Sequence, residues 1–176
     1  MSNPKRLIEF AEEQKANTDI SFDSDHDQMI VVIDADIYER KPEGYSGILK
    51  MAKDYNDILA VTNPAFELFL LLHYEGSYEM NIMPNAEQIL KNDKVNNRRF
   101  ISYLFSQKSG MNSKKNAAVG DLAANLDIAI TQEQKLNQDA EHCLGRLTVS
   151  VKPPSGLNRR SGHETISQNA NISHAV

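Results

Sequence analysis

An α/β fold built on a parallel sheet and followed by a helical C-terminal region is what this sequence predicts, on three observations. Met29-Ile-Val-Val-Ile33 is a run of five apolar residues, mostly β-branched, and reads as a strand buried on both faces. Ile58-Leu-Ala-Val61 is a second short apolar run. A turn and a helical pattern lie between the two, so they should pair in parallel through a right-handed crossover. Beyond Tyr74 the pattern becomes polar and helical.

The elements follow in order. Residues 4–15 form an amphipathic helix, with Pro4 in its first turn and Leu7, Phe10 and Ala11 at helical spacing. An acidic loop, Asp23 to Asp27, leads into the strand at 29–33. Its Asp-x-Asp-x-Asp spacing resembles the opening of a Ca²⁺ loop, but Gln28 stands where glycine is needed and a strand follows, which excludes an EF-hand. A Lys41-Pro-Glu-Gly44 turn and a helix over 46–54 precede the strand at 58–61. In Thr62-Asn63-Pro64, Asn63 suits an N-cap and Pro64 the first helical residue of a buried helix reaching His73. Helices are then expected over 84–92, 95–107 and 116–130 and near 132–145. Leu147–Val151 reads as a strand or an extended stretch. Residues 152–176 lose all periodicity and read as a disordered tail.

Composition narrows the class. The chain has 176 residues, enough for one core, and its single Cys143 excludes a disulfide framework or a Cys-rich zinc site. Cys143 reads as a small buried apolar residue. No apolar stretch is long enough to span a bilayer and no signal core opens the chain, so no membrane is expected and the cytoplasm is the default location. The net charge of −5 is unevenly spread. Residues 91–115 hold seven bases and one acid, a net of +6, leaving −11 for the remainder. Such a segment can be an electrostatic footprint for nucleic acid. Its aromatics Phe100, Tyr103 and Phe105 fit a helix core stripe, which leaves Arg98, Arg99, Lys114 and Lys115 as the candidate phosphate-facing surface.

The chemistry-bearing candidates lie where the strands should end. Asp34 and Asp36 follow the first strand, at the carboxyl end where open α/β sheets bind ligands. They project to one side if the extended conformation continues, and their hard oxygens suit Mg²⁺. The plainer alternative is a strand-ending Asp34 and a turn-starting Asp36. Glu67 lies one residue past a capping-box acid, in the first helical turn. It either completes the acidic cluster or accepts backbone N–H groups at its own helix start. Asn63 is a cap or a substrate contact, and His73 a helix-end hydrogen-bonding group or a site residue.

Two blocks, Ile33-Asp34-Ala35-Asp36 and Thr62-Asn63-Pro64-Ala65-Phe66-Glu67-Leu68-Phe69-Leu70-Leu71-Leu72-His73, resemble the RloB family. The resemblance covers roughly residues 4–150. It implies a Toprim-like, Rossmann-like sheet and a bacterial anti-phage role, in some systems abortive infection of the AbiL type with an ATPase partner. It also implies a Mg²⁺- or Mn²⁺-dependent nuclease acting on RNA or DNA, with Asp34 and Asp36 as metal ligands and Asp34, Asp36 and Glu67 as catalytic residues. The domain would run over 1–151, with a truncated Toprim-like core at about 4–75 and a helical region at about 84–151. A Toprim-like site resembles a Glu-Gly strand end followed by Asp-x-Asp; Asp34 and Asp36 match the second motif, and nothing before residue 29 matches the first. The expectation is a shortened chain with an incomplete sheet. Two functions compete: a nuclease, and an inactive remnant or binding module that engages an ATPase partner or nucleic acid. Phosphoryl transfer on a small molecule is a third class open to the same metal chemistry. With no preceding strand, the 29–33 edge must pair with 18–22 or 147–151, join another chain in a homo-oligomer, or aggregate.

Overall fold

The computed structural model describes residues 3–152. Helix α1 (Pro4–Lys15) starts as its sequence dictates: the Asn3 side chain accepts from the Lys5 N–H at 3.1 Å and Pro4 takes the first helical position. Strand β1 (Ile30–Asp34) follows the acidic loop, which closes on itself through Asp23 and Asp27 side chains accepting backbone N–H groups. Helix α2 (Tyr45–Asp54) crosses over to β2 (Ile58–Asn63), which pairs in parallel with β1 from Ile30–Ile58 to Asp34–Thr62. Asn56, with φ of 58°, makes the turn between them.

After β2 come the short helices α3 (Glu67–Leu72) and α4 (Ala86–Lys91). A hairpin follows, β3 (Lys94–Val95) and β4 (Arg98–Arg99), then α5 (Phe100–Ser109) and α6 (Leu126–Glu133). Strand β5 (Thr148–Lys152) returns to pair antiparallel with β2, giving the order β1-β2-β5. The fold is mixed α/β, with a small sheet that contains the expected parallel pair and is compatible with an incomplete Rossmann-like arrangement. Among the described residues no helix is long and apolar enough to cross a membrane.

Two cores hold these layers. One lies between α1, α2 and one face of the sheet, around Ile8, Val31, Ile33, Ile48, Val61 and Cys143. The other gathers α3, α5 and α6 around Leu68, Leu71, Ile101, Phe105 and Ala129, reaching the sheet at Val149. Phe105 is fully buried, a contribution of about 2–3 kcal/mol by area alone. Cys143 is buried as expected.

Several expectations need correction. β1 is buried on one face only: Val31 and Ile33 are covered, whereas Ile30 and Val32 on its other face are about half exposed. β2 is the strand buried throughout. Asn63 is not an N-cap but the last residue of β2, and α3 begins only at Glu67. The helix predicted over 95–107 starts at Phe100, after the hairpin. The stretch 116–130 is a 3₁₀ segment (Ala117–Asn125) running into α6, and 132–145 holds the end of α6 and a short 3₁₀ turn at Ala140–His142 in place of a further helix. Lys152 ends β5 rather than opening a tail; the rest of 152–176 lies outside the described residues. Neither 18–22 nor β5 covers the outer edge of β1, which has no strand partner among the described residues.

Candidate active site

The strand ends β1 and β2 lie side by side, and the turns that follow bring the acidic residues together. Asp34 pairs with Thr62 across the parallel ladder. Its Oδ1 accepts from the Thr62 hydroxyl and from the Phe66 backbone N–H, each at 2.9 Å. Asp34 therefore fastens the end of β1 to the turn that opens α3. Beyond it the chain does not stay extended: Ala35 has φ −88° and ψ −4°, and Asp36 opens a 3₁₀ turn. Asp34 and Asp36 therefore do not project to one side as alternate residues of an extended chain would. The two carboxylates meet instead because both line one cavity of about 520 Å³.

Glu67 lines the same cavity, although it is only 5% exposed. Its Oε1 accepts from the Ser102 and Ser113 hydroxyls, each at 2.8 Å, so α5 and the loop after it hold this carboxylate in place. Arg99 and Lys114 complete the wall. Arg99 donates from Nη1 to the Asn92 carbonyl oxygen at 3.2 Å. Asn92 ends α4 with φ of 45°, and its Oδ1 accepts the Ile101 N–H at 3.2 Å, so it organises the approach of the basic segment. Phe66, half-exposed, is the aromatic face of the cavity.

The acids feel one another. Burial pushes the Asp34 carboxyl above the usual carboxylate range, and the Glu67 and Asp36 charges add to that, against the pull of the Thr62 and Phe66 hydrogen bonds. Burial likewise pushes Asp36 up, helped by Glu67 and opposed by the Arg99 and Lys114 charges. Crowded carboxylates held in this way favour a cation. Among the described residues, however, no group of three or more His, Cys, Asp or Glu side chains is set to hold one ion. This donor set fits Mg²⁺ or Mn²⁺, since Mg²⁺ binds through one or two carboxylates and takes its other ligands from water and phosphate. It does not fit a closed zinc site.

The other candidates fall elsewhere. Arg98 lines a neighbouring groove that shares Arg99 and Lys114 with the cavity, whereas Lys115 is exposed and lines neither. Asn63 is fully buried away from the cavity; its Nδ2 donates to Glu39 Oε1 (2.7 Å) and to the carbonyl oxygens of Cys143 (2.9 Å) and Arg146 (3.0 Å). His73 is buried too, with Nδ1 hydrogen-bonded to the Phe69 carbonyl oxygen at 3.0 Å and its ring edge-on to Phe69. Ser102, Ser113 and Asn92 went unpredicted. Their only local signal was a set of polar residues inside or beside the basic, helical 91–115 stretch.

The sequence matches the family model for RloB-like proteins over residues 1–153. The chain belongs to the RloB-like family. No curated protein and no solved structure matches it. In this RloB-like chain both sequence blocks that carry the resemblance line one cavity, the first through Ile33, Asp34 and Asp36 and the second through Ala65, Phe66 and Glu67.

Proposed function

We propose that this RloB-like chain is a Mg²⁺- or Mn²⁺-dependent nuclease of bacterial anti-phage defence, of the abortive-infection type, that cleaves phosphodiesters in RNA or DNA. The observation that supports this reading is the meeting of Asp34, Asp36 and Glu67 with Arg99 and Lys114 around one cavity, although the acids and the bases come from separate parts of the chain. Asp34 and Asp36 would hold the ion. Bound there, it would neutralise phosphate charge and lower the pKa of a water. The chain's own groups do the rest. The Arg99 and Lys114 side chains attract and orient the anionic phosphate at the acidic centre, which would otherwise repel it. Ser102 and Ser113 fix Glu67 through Oε1, so its other oxygen remains to accept a proton or to join the ligand set. Thr62 and Phe66 fix Asp34 in the same way.

The test is cleavage of RNA and of DNA with Mg²⁺ or Mn²⁺ by the parent chain and by Asp34→Ala and Asp36→Ala. Loss of cleavage in both variants is expected; equal cleavage by all three sinks the reading. A second reading, a non-catalytic module that binds an ATPase partner or nucleic acid, draws on the lack of a three-ligand cluster among the described residues. It predicts binding of the nucleic acid without cleavage.

A further inference from the structure

Beside the acidic cavity lies a second groove of about 290 Å³, lined by Lys94, Arg98, Arg99 and Lys114 with Asn and Ser side chains and no acid. The two recesses share Arg99, Ser102 and Lys114, so the groove adjoins the cavity. Three features mark it as a place for anions. Lys94 and Arg99 stand directly opposite each other in the β3–β4 hairpin, a like-charge cross-strand pair that is unfavourable unless an anion offsets it. Asn96 and Asn97, with φ of 50° and 62°, set the tight turn that enforces this pairing. Ion pairs among the described residues fall on Lys5, Arg6, Lys15, His26, Lys91, Lys135 and His142, and none on these four cations. Among the described residues the Arg98 side chain donates to the Ser106 hydroxyl at 3.4 Å, and the Arg99 side chain to the Asn92 carbonyl oxygen while its charge also acts on Asp36.

We infer that this groove holds the phosphate next to the one at the acidic cavity, so that the substrate is a nucleic-acid strand gripped through its backbone rather than a mononucleotide or a small phosphate ester. The inference rests on the proposed phosphodiesterase reading of the cavity. No aromatic ring lines the groove, and Phe100 and Tyr103 pack against each other instead. With no stacking surface there, the groove reads charge and not base identity.

The experiment uses the full chain with Mn²⁺, comparing bis(p-nitrophenyl) phosphate with short fluorescein-labelled single-stranded oligonucleotides of differing sequence, RNA in one arm and DNA in another. The variant is Lys94→Ala/Arg98→Ala, two exposed residues that line the groove and not the cavity. Oligonucleotide affinity should fall roughly tenfold, equally for all sequences, and the slope of log K against log salt should shrink by about 0.7, the value for the one phosphate the groove holds. The ratio of oligonucleotide to small-diester kcat/KM should fall with it. An unchanged salt slope, or a loss confined to one base sequence, overturns the inference. A parent chain that hydrolyses the small diester but binds no oligonucleotide overturns it too, and leaves standing only metal-dependent phosphodiester hydrolysis at the cavity. Neither hydrolysis nor binding by the parent chain overturns both.

Discussion

Glu67 is either a working carboxylate or a structural one, and two substitutions at this position separate the readings. Glu67→Ala removes the acceptor of both the Ser102 and the Ser113 hydroxyls. Both serines are only half-buried, so water re-solvates them in part, and the cost is about 1 kcal/mol for each, near the lower end for a lost partner. Relief of repulsion with Asp34 offsets some of this. The sum, about 2 kcal/mol or slightly less, lowers Tm by about 4–8 °C in a chain of this size. Glu67→Gln keeps an oxygen at the Oε1 position and loses the charge. A neutral acceptor is roughly half as strong as an ionised one, and the lost repulsion compensates, so Tm should stay within about 2–4 °C of the parent. If the carboxylate takes part in metal-dependent cleavage, Glu67→Gln should still lower the rate by about 10²-fold or more. Calorimetry and a Mn²⁺-dependent cleavage assay on the same preparations give both numbers. A Glu67→Gln variant that cleaves at the parent rate refutes the reasoning, and so does a Glu67→Ala variant with an unchanged Tm.

Asp34 and Asp36 should differ in stability even where both abolish cleavage. Asp34→Ala leaves the Phe66 N–H without its acceptor and leaves the Thr62 hydroxyl with only the longer bond to the Ile33 carbonyl oxygen (3.4 Å), and should cost about 1–2 kcal/mol in urea unfolding, whereas Asp36→Ala should cost less than about 1 kcal/mol. Gln132→Ala should be among the most destabilising polar changes. The Gln132 amide donates to the carbonyl oxygens of Leu72 (2.6 Å) and Tyr74 (2.9 Å) and accepts the Tyr78 N–H, so its loss should cost about 3 kcal/mol by the same unfolding measurement. Val32 is half exposed on β1, whose outer edge has no strand partner among the described residues. Val32→Lys should keep the fold by circular dichroism and suppress concentration-dependent association in light scattering; a parent chain that scatters as a monomer at every concentration removes the premise.

What the sequence made legible was whatever depends on local pattern. The apolar runs at 29–33 and 58–61 became β1 and β2 within one or two residues, and Pro4 and Lys15 bound α1 as read. The acidic pair and the basic segment were both singled out, and the cavity joins them. What failed depended on partners distant in the chain. An apolar run cannot say whether a helix covers both faces of its strand, so the exposed Ile30 and Val32 were unreadable. Asn63-Pro64 carries the local chemistry of a helix start, yet the acceptor for the Phe66 N–H comes from Asp34 and Asn63 turns toward Glu39. Ser102 and Ser113 reach Glu67 across 35 and 46 residues. Only the Val95-Asn-Asn-Arg98 hairpin was missed with its signal in plain view, two asparagines suited to left-handed turn positions.

The joining of acids from the first half of the chain to hydroxyls and cations from later residues has a consequence for the cell that makes the protein. Asp34, Asp36 and Glu67 are synthesised before Ser102, Ser113 and Lys114. A nascent chain at that stage has carboxylates but lacks the bases that would attract a phosphate and the hydroxyls that hold Glu67. The cavity can therefore be completed only after Lys114 has been added to the chain.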